Sequence, residues 1–383
     1  MTDLFMAGFE CATQRRRDDG ARLDLIAGTG HDVHAASDYR RCAKLGLRRM
    51  RDGLRWHLIG AERGRFDWSS WAPMVEAADE AGVRVYWDLF HYGFPDWTGP
   101  TSPDFAEEFA EFGAAAALEH VRLTGRPLDF CAFNEISFFC WAAHDGYFPV
   151  AGLQPETPLK ELVVRAAIAA CSAISATGCG GEHIWAEPLV HVAPHGYTDE
   201  ARAIAAAHNE AQFEAFDMIV GRLSPELGGH PDLLGTVGVN VYPTGQWYNG
   251  GSTIPLGHHE HRPLGQMLVD LWHRYRRPIM ISETGSEGRA RASWLHYICA
   301  EVREAMAAGV PIRGICLYPI TAYPGWDNER HCHAGLFGFA DADGGRGIYQ
   351  PLAEEIVRQS ALFDSASVQA APAACEPALF DWR

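Results

Sequence analysis

Two glutamates stand where apolar runs of this sequence meet a polar one. The first closes Cys131-Ala132-Phe133-Asn134-Glu135, the second Met280-Ile281-Ser282-Glu283. Two carboxylates brought to one cavity have a defined chemistry. One stays protonated and assists a leaving group, while the other attacks an anomeric carbon. A carboxyl separation of about 5–5.5 Å permits a covalent intermediate, and about 6.5–9.5 Å leaves room for a water and inversion. The plainer alternative is that each glutamate caps a helix or pairs with an arginine at a rim. Metal-ligand types also recur at short spacing, in His258-His259-Glu260-His261 and His331-Cys332-His333. Neither cluster supplies a full ligand set with an identifiable outer layer of partners. No catalytic metal and no cofactor are therefore expected, and the His-rich loops read as solvated or substrate-binding.

The elements that must position the two glutamates follow from the apolar pattern. Eight short runs rich in Val, Ile, Leu, Phe and Tyr recur: Leu4–Phe9, Leu47–Arg51, Val83–Leu89, Leu128–Phe133, His183–Glu187, Leu234–Asn240, Pro278–Glu283 and Arg313–Tyr318. Continuous apolar runs of this length suit strands buried on both faces, as in a parallel sheet. Between them lie stretches of helical composition: Trp71–Ala81, Phe105–Leu123, Leu159–Ala176, Thr198–Leu223, Leu264–Tyr275 and Arg291–Ala308. Strand and helix in alternation, through eight strands, predict a single (β/α)8 barrel over residues 1–364. Residues 365–383, rich in Ala and Pro, read as a tail. No GxGxxG follows the first run, which argues against a dinucleotide fold. In a (β/α)8 barrel the chemistry sits at the C-terminal ends of the strands, where both glutamates fall.

Composition narrows the partners. The 383 residues are 47% hydrophobic and 21% charged, enough for a large core and too ordered a mixture for wholesale disorder. With 32 Lys+Arg against 49 Asp+Glu the net charge is −17, which repels phosphate backbones and anionic lipid, so neither nucleic acid nor membrane is an expected partner. No run is long and apolar enough for a membrane span, and the N-terminus carries no basic-then-apolar leader. Ten cysteines are scattered without a CxxC pair, and Cys131, Cys299 and Cys316 sit in apolar runs. Reduced thiols in the cytoplasm are the expectation. The oligomeric state is left open.

Six segments together resemble glycoside hydrolase family 1, the β-glucosidase-like family of a clan of retaining barrels. Phe133-Asn134-Glu135 before an aromatic stretch, and Ile281-Ser282-Glu283-Thr284-Gly285, are similar to its two catalytic strand ends. Phe5–Gln14, Lys44–Trp56, Tyr86–Trp97 and Val239–Tyr242 are similar to its first, second, third and sixth strand motifs. The resemblance implies a retaining β-glycosidase, with Glu135 as acid/base and Glu283 as nucleophile, acting on a small-molecule or oligosaccharide glycoside. It carries the family's sugar-binding glutamine onto Gln14, its second-strand arginine onto Arg51, its histidine onto His91 and its supporting tyrosine onto Tyr242. Asn134, Tyr318, Trp326 and Glu329 complete the expected substrate site.

The roles so implied are coherent. Arg51 and Tyr242 donate to Glu283, neutralise its charge and fix its rotamer. His91, Asn134 and Gln14 bind sugar hydroxyls, and Glu135 requires a less compensated pocket to keep its proton. Trp141, Trp247, Tyr318 and Trp326 offer aromatic faces for pyranose C–H surfaces. The chain also departs from the family. Ile136 replaces a proline after the acid, Thr284 an asparagine after the nucleophile, and Tyr318-Pro319-Ile320-Thr321 a Trp-Ser-Leu stretch. A sugar-binding barrel of little or no turnover, or a clan hydrolase acting on β-mannosides or polysaccharide, fits the same residues.

Overall fold

Residues 4–328 and 330–369 are described by a computed structural model of the chain, the last four by backbone alone. Each apolar run forms a strand: β1 (Phe5–Gly8), β2 (Arg49–Gly53), β3 (Arg84–Asp88), β4 (Leu128–Asn134), β5 (Gly180–Pro188), β6 (Thr236–Val241), β7 (Ile279–Thr284) and β8 (Ile312–Leu317). Every strand pairs in parallel with its neighbours in sequence. Strand β8 returns to β1 through Phe5↔Ile315 and Ala7↔Leu317, so the sheet closes and leaves no open edge. The fold is a (β/α)8 barrel.

Closure explains the unbroken apolar runs. Every residue of β6 and β7 is buried, because one face meets the barrel interior and the other the helices. Met6, Tyr86, Cys131, Ile184, Met280 and Cys316 pack together inside the barrel. A larger layer, including Phe109, Phe133, Leu268 and Ile298, joins the strands to the surrounding helices.

The helices are α1 (His31–Lys44), α2 (Ala72–Glu80), α3 (Phe105–Thr124), α4 (Ile136–His144), α5 (Leu159–Thr177), α6 (Asp199–Ala211), α7 (Glu214–Ile219), α8 (Leu264–Tyr275), α9 (Arg291–Ala307) and α10 (Gln350–Gln369). Helix α8 has the ends expected from its sequence, and α3 and α5 stop at left-handed Gly125 and Gly178. The expected helix over Thr198–Leu223 is instead two. Gln212 stops the first, with its Nε2 donating to the Asn209 carbonyl at 2.7 Å and its Oε1 accepting from the Val190 amide at 3.0 Å. Helix α10 runs five residues past 364, and residues 370–383 of the expected tail lie outside the described residues.

Helix α1 has no apolar stripe to announce it, because polar groups carry much of its buried face. His31 Nδ1 lies 3.0 Å from Asp38 and Nε2 2.8 Å from Asp52. Tyr39 donates to Asp52 at 2.5 Å, and Arg346 donates twice to Asp38. Phe9 stacks on the imidazole at 3.8 Å. This cluster ties α1 to the end of β2 and to the hairpin that carries Arg346. Burial opposes a charge on His31, but the two aspartates outweigh it and lift its pKa to about 9. A pKa raised in the folded state contributes stability that is full below the ordinary value of 6.5 and lost as pH climbs through about 9. His31→Ala leaves the aspartates underpaired and should cost about 3–5 kcal/mol. Thermal melts should show the wild-type transition falling across that pH window and the variant's transition largely insensitive to it. Parallel pH dependence in both proteins would contradict the account.

Candidate active site

The C-terminal strand ends open into a cavity of about 850 Å³, within the ~300–1,000 Å³ range of small-molecule sites. Glu10, Glu135, Asn240, Tyr242, Glu283 and Tyr318 share its walls. At the opposite end of the barrel a depression of about 730 Å³ includes Arg84, paired with Asp129 and Glu182, and Arg126, paired with Asp79.

Beneath that cavity lies Arg51, fully buried at the middle of β2. Its Nε and one Nη2 hydrogen reach the two oxygens of Asp88 at 2.9 and 2.8 Å. The other Nη2 hydrogen goes to Asn134 Oδ1 at 2.6 Å. Nη1 donates to Glu283 Oε1 at 2.7 Å and to the Ser282 carbonyl at 3.3 Å. All five guanidinium donors are thus used, on β3, β4 and β7. Burial alone would raise Asp88, but Arg51 and His91 hold it below the usual carboxylate range.

The two glutamates receive different partners. Glu283, 4% exposed, accepts from Arg51 on one oxygen and from the Tyr242 hydroxyl at 2.7 Å on the other. Glu135 accepts from two neutral donors, the Tyr92 hydroxyl at 2.6 Å and Asn240 Nδ2 at 2.9 Å. Asn240 pairs with Glu283 in the β6–β7 register, and its side-chain oxygen accepts from the Ser282 hydroxyl at 2.7 Å. Enclosure by protein, then the negative charge of Glu283, lifts the pKa of Glu135 to about 7, against the two donors. Its backbone is left-handed (φ 48°), and so is that of Tyr92 (φ 71°).

The remaining expected residues divide. His91 lines the cavity, with Nδ1 2.8 Å from Asp88 and Nε2 3.2 Å from Asn134 Nδ2. Because Asn134 Oδ1 accepts from Arg51, its Nδ2 must donate, which puts the His91 proton on Nδ1. Asn134 is wholly buried, with its amide spent on Arg51, Asn240, Tyr92 and His91. It forms the floor rather than the wall. Gln14 is buried away from the cavity, and its Oε1 has no partner among the described residues. Tyr318 lies parallel to His91, ring centres 6.0 Å apart. A Cβ on Gly8 would come within 2.3 Å of the Tyr318 ring, and one on Gly285 within 2.2 Å of its carbonyl, so both glycines are needed to seat it. Trp326 joins Tyr92, Phe138 and Phe148 in an aromatic wall. Trp141, 51% exposed, and Trp247 continue the lining outward. Glu329 lies outside the described residues.

Five further polar residues belong to this site: Glu10, Asp88, Tyr92, Glu187 and Asn240. Glu10, Glu187 and Asn240 stand at or just past the end of an apolar run, the signal that identified Glu135 and Glu283, whereas Asp88 lies one residue inside its run. Glu10 takes the cavity wall, held by the Ala12 amide at 3.2 Å. Burial raises its pKa, opposed by His91 and reinforced by Glu283. Among the described residues, neither His-rich loop brings three ligand atoms together. One buried trio does, Cys11, Asp88 and His91. It fits a cation poorly: both Asp88 oxygens already accept from Arg51, the His91 Nδ1 proton faces Asp88, and burial pushes the Cys11 thiol well up.

Arg51→Lys keeps the charge but cannot supply five planar donors. It should leave acceptors on Asp88, Asn134 or Ser282 unfilled, at about 1–3 kcal/mol for each. Urea unfolding should register a lower midpoint at unchanged slope; an unaltered midpoint would mean that this junction contributes nothing to the fold.

Solved structures similar to this chain share its barrel. The AHE enzyme from Alicyclobacillus herbarius superposes with a TM-score of 0.73 at 16% identity, over 94% of this chain and 98% of its own. The β-glycosidase BGL167 gives 0.71 at 18%, over 99% and 100%. A family 1 β-glucosidase from Thermotoga maritima gives 0.69 at 13%, over 93% and 97%. No protein-family model matches the sequence, and no curated protein does. At such identities the likeness shows the fold: a (β/α)8 barrel of the kind these structures share, divergent in sequence.

Proposed function

We propose that this chain is a retaining β-glycosidase that cleaves an O-glycosidic bond by double displacement. The observation that carries the reading is the unequal treatment of two carboxylates on one cavity. Glu283 meets a guanidinium and a phenol, the partners suited to a carboxylate anion. Glu135 meets only neutral donors and has its pKa raised to about 7, first by enclosure and then by Glu283. Environments that push two acids apart assign them to different roles.

In the first step Glu283 attacks the anomeric carbon from one face. The glycosidic C–O bond breaks, and the departing oxygen takes the proton of Glu135. The second step reverses the roles. Glu135, now ionised, removes a proton from water, the water oxygen bonds to the anomeric carbon, and the ester to Glu283 breaks. The retained configuration follows from two inversions. Glu10 offers a third carboxylate for hydroxyl donors of the sugar ring. The tryptophans toward the rim suit the apolar faces of the sugar or of its aglycone.

Glu283→Gly should abolish hydrolysis of aryl β-glycosides, and azide should restore part of it by yielding a glycosyl azide of opposite anomeric configuration. Turnover close to wild type would sink the assignment. Glu135→Ala should slow substrates with poor leaving groups by about 10²–10⁴-fold and activated aryl glycosides far less. Wild-type turnover of the poor leaving groups should fall as pH rises past about 7, where the acid loses its proton. Equal losses on both substrate types would remove Glu135 from the acid role.

A further inference from the structure

We propose that Glu187 is a positioning residue for the acid, capping helix α4 from a neighbouring strand and so fixing the backbone on which Glu135 stands. This rests on the reading of Glu135 as acid/base. Helix α4 begins at Ile136, immediately after Glu135. The residue before a helix ordinarily turns its own side chain over the first free amides. Glu135 makes no such bond: its backbone is left-handed (φ 48°, ψ 61°) and its carboxyl faces the cavity. The orphan amides of α4 need another acceptor.

Strand β5 supplies it. The Glu135 amide donates to the Ala186 carbonyl at 2.7 Å. The next residue, Glu187, sets its two oxygens 3.3 and 3.1 Å from the Ser137 amide. Two successive residues of β5 therefore hold the amides of Glu135 and Ser137, on either side of the helix start. Glu187 is 2% exposed, so its carboxyl is committed to this contact. A carboxylate at a helix N-terminus is also favoured by the helix dipole.

The contact has an electrostatic side. Glu135 is faced by Tyr92 from the loop after β3, Asn240 and Tyr242 from β6, Glu283 from β7 and Glu187 from β5. Glu187 and Glu283 are the negative charges that favour its protonated form. Lys160 on α5 is the nearby cation, and it is joined to Glu214 at 2.6 Å. Burial raises Glu187 itself to about 7, against its amide donors and Lys160. The two acids therefore titrate as neighbours over the same range.

The test is a comparison of Glu187→Gln with Glu187→Ala. Glutamine keeps an oxygen for the helix amides and removes the charge; alanine removes both. The alkaline limb for poor leaving groups should move to lower pH in Glu187→Gln by about half a unit or more. Glu187→Ala should lose about tenfold or more on poor leaving groups beyond its loss on activated ones, with KM little changed. Carbon-13 titration of the Glu135 carboxyl gives a readout that needs no turnover, and it should shift downward in Glu187→Gln. If Glu187→Ala loses no more on poor leaving groups than Glu187→Gln does, or if Glu135 titrates identically in wild type and both variants, the proposal is overturned. If wild type turns over no glycoside but the carboxyl titration still shifts, the proposal about Glu187 stands and the glycosidase reading fails.

Discussion

A guanidinium sealed inside a protein must find an acceptor for every proton, and Arg51 does so across three other strands. Removing such a charge from water is costly unless its geometry is nearly complete. That demand orders the site. Asp88 must lie beside Arg51 to balance it, Asn134 must turn its carbonyl oxygen inward, and Glu283 must present one oxygen downward. Each obligation passes to a neighbour. The Asn134 amide group, oriented by Arg51, donates to His91 and Tyr92, and Tyr92 in turn donates to Glu135. Glu283 and Glu135 are thereby linked through one buried cation.

The same network sets the contrast between the acids. Glu283 is one contact from Arg51, whereas Glu135 is reached only through neutral amides and a phenol. Two left-handed residues, Glu135 and Tyr92, meet in a single hydrogen bond. Such backbone costs roughly 1–3 kcal/mol per residue and persists where the surroundings over-determine it. Here the surroundings are identifiable: β5 grips the backbone after Asn134, and the aromatic wall of Phe138, Phe148 and Trp326 encloses Tyr92. The strain is localised at the carboxyl of Glu135.

The barrel was legible because its physics is coarse. A strand buried on both faces has to be apolar throughout, so eight runs marked eight strands to within a few residues. Helix α1 was invisible for the converse reason: its buried face uses His31 and Asp38, which no apolar pattern records. At the site, residues that end a strand were readable by position, and the family resemblance carried Arg51, His91 and Tyr242 to the same cavity. Glu187 ends an apolar run as clearly as Glu135 does, and Asp88 lies inside one, but their partners are an amide and a guanidinium far away in sequence. Gln14 and Glu10 show the limit of motif matching. Two residues on one loop compete for the cavity, and only the path of the chain after β1 decides that Glu10 faces it.

The departures from the family pattern acquire local explanations in this geometry. A proline after the acid has no amide to satisfy and a φ already suited to a helix start. Ile136 brings an amide where proline would have none, at the helix end whose Ser137 amide Glu187 accepts. Thr284, where an asparagine is usual, turns its hydroxyl away from the cavity, donating to the Val241 carbonyl at 2.8 Å and accepting from Trp294 at 2.9 Å. It binds β7 to β6 and to α9 without touching the carboxylate pair. Tyr318 occupies the cavity wall in place of the usual tryptophan stretch, on a seat that only Gly8 and Gly285 leave open. Each substitution is matched by a partner elsewhere in the barrel, and none of those partners displaces Arg51, Glu283 or Glu135. The buried cation, the carboxyl with a raised pKa and the left-handed backbone thus remain grouped around one cavity, and each of them costs stability that the surrounding contacts must offset.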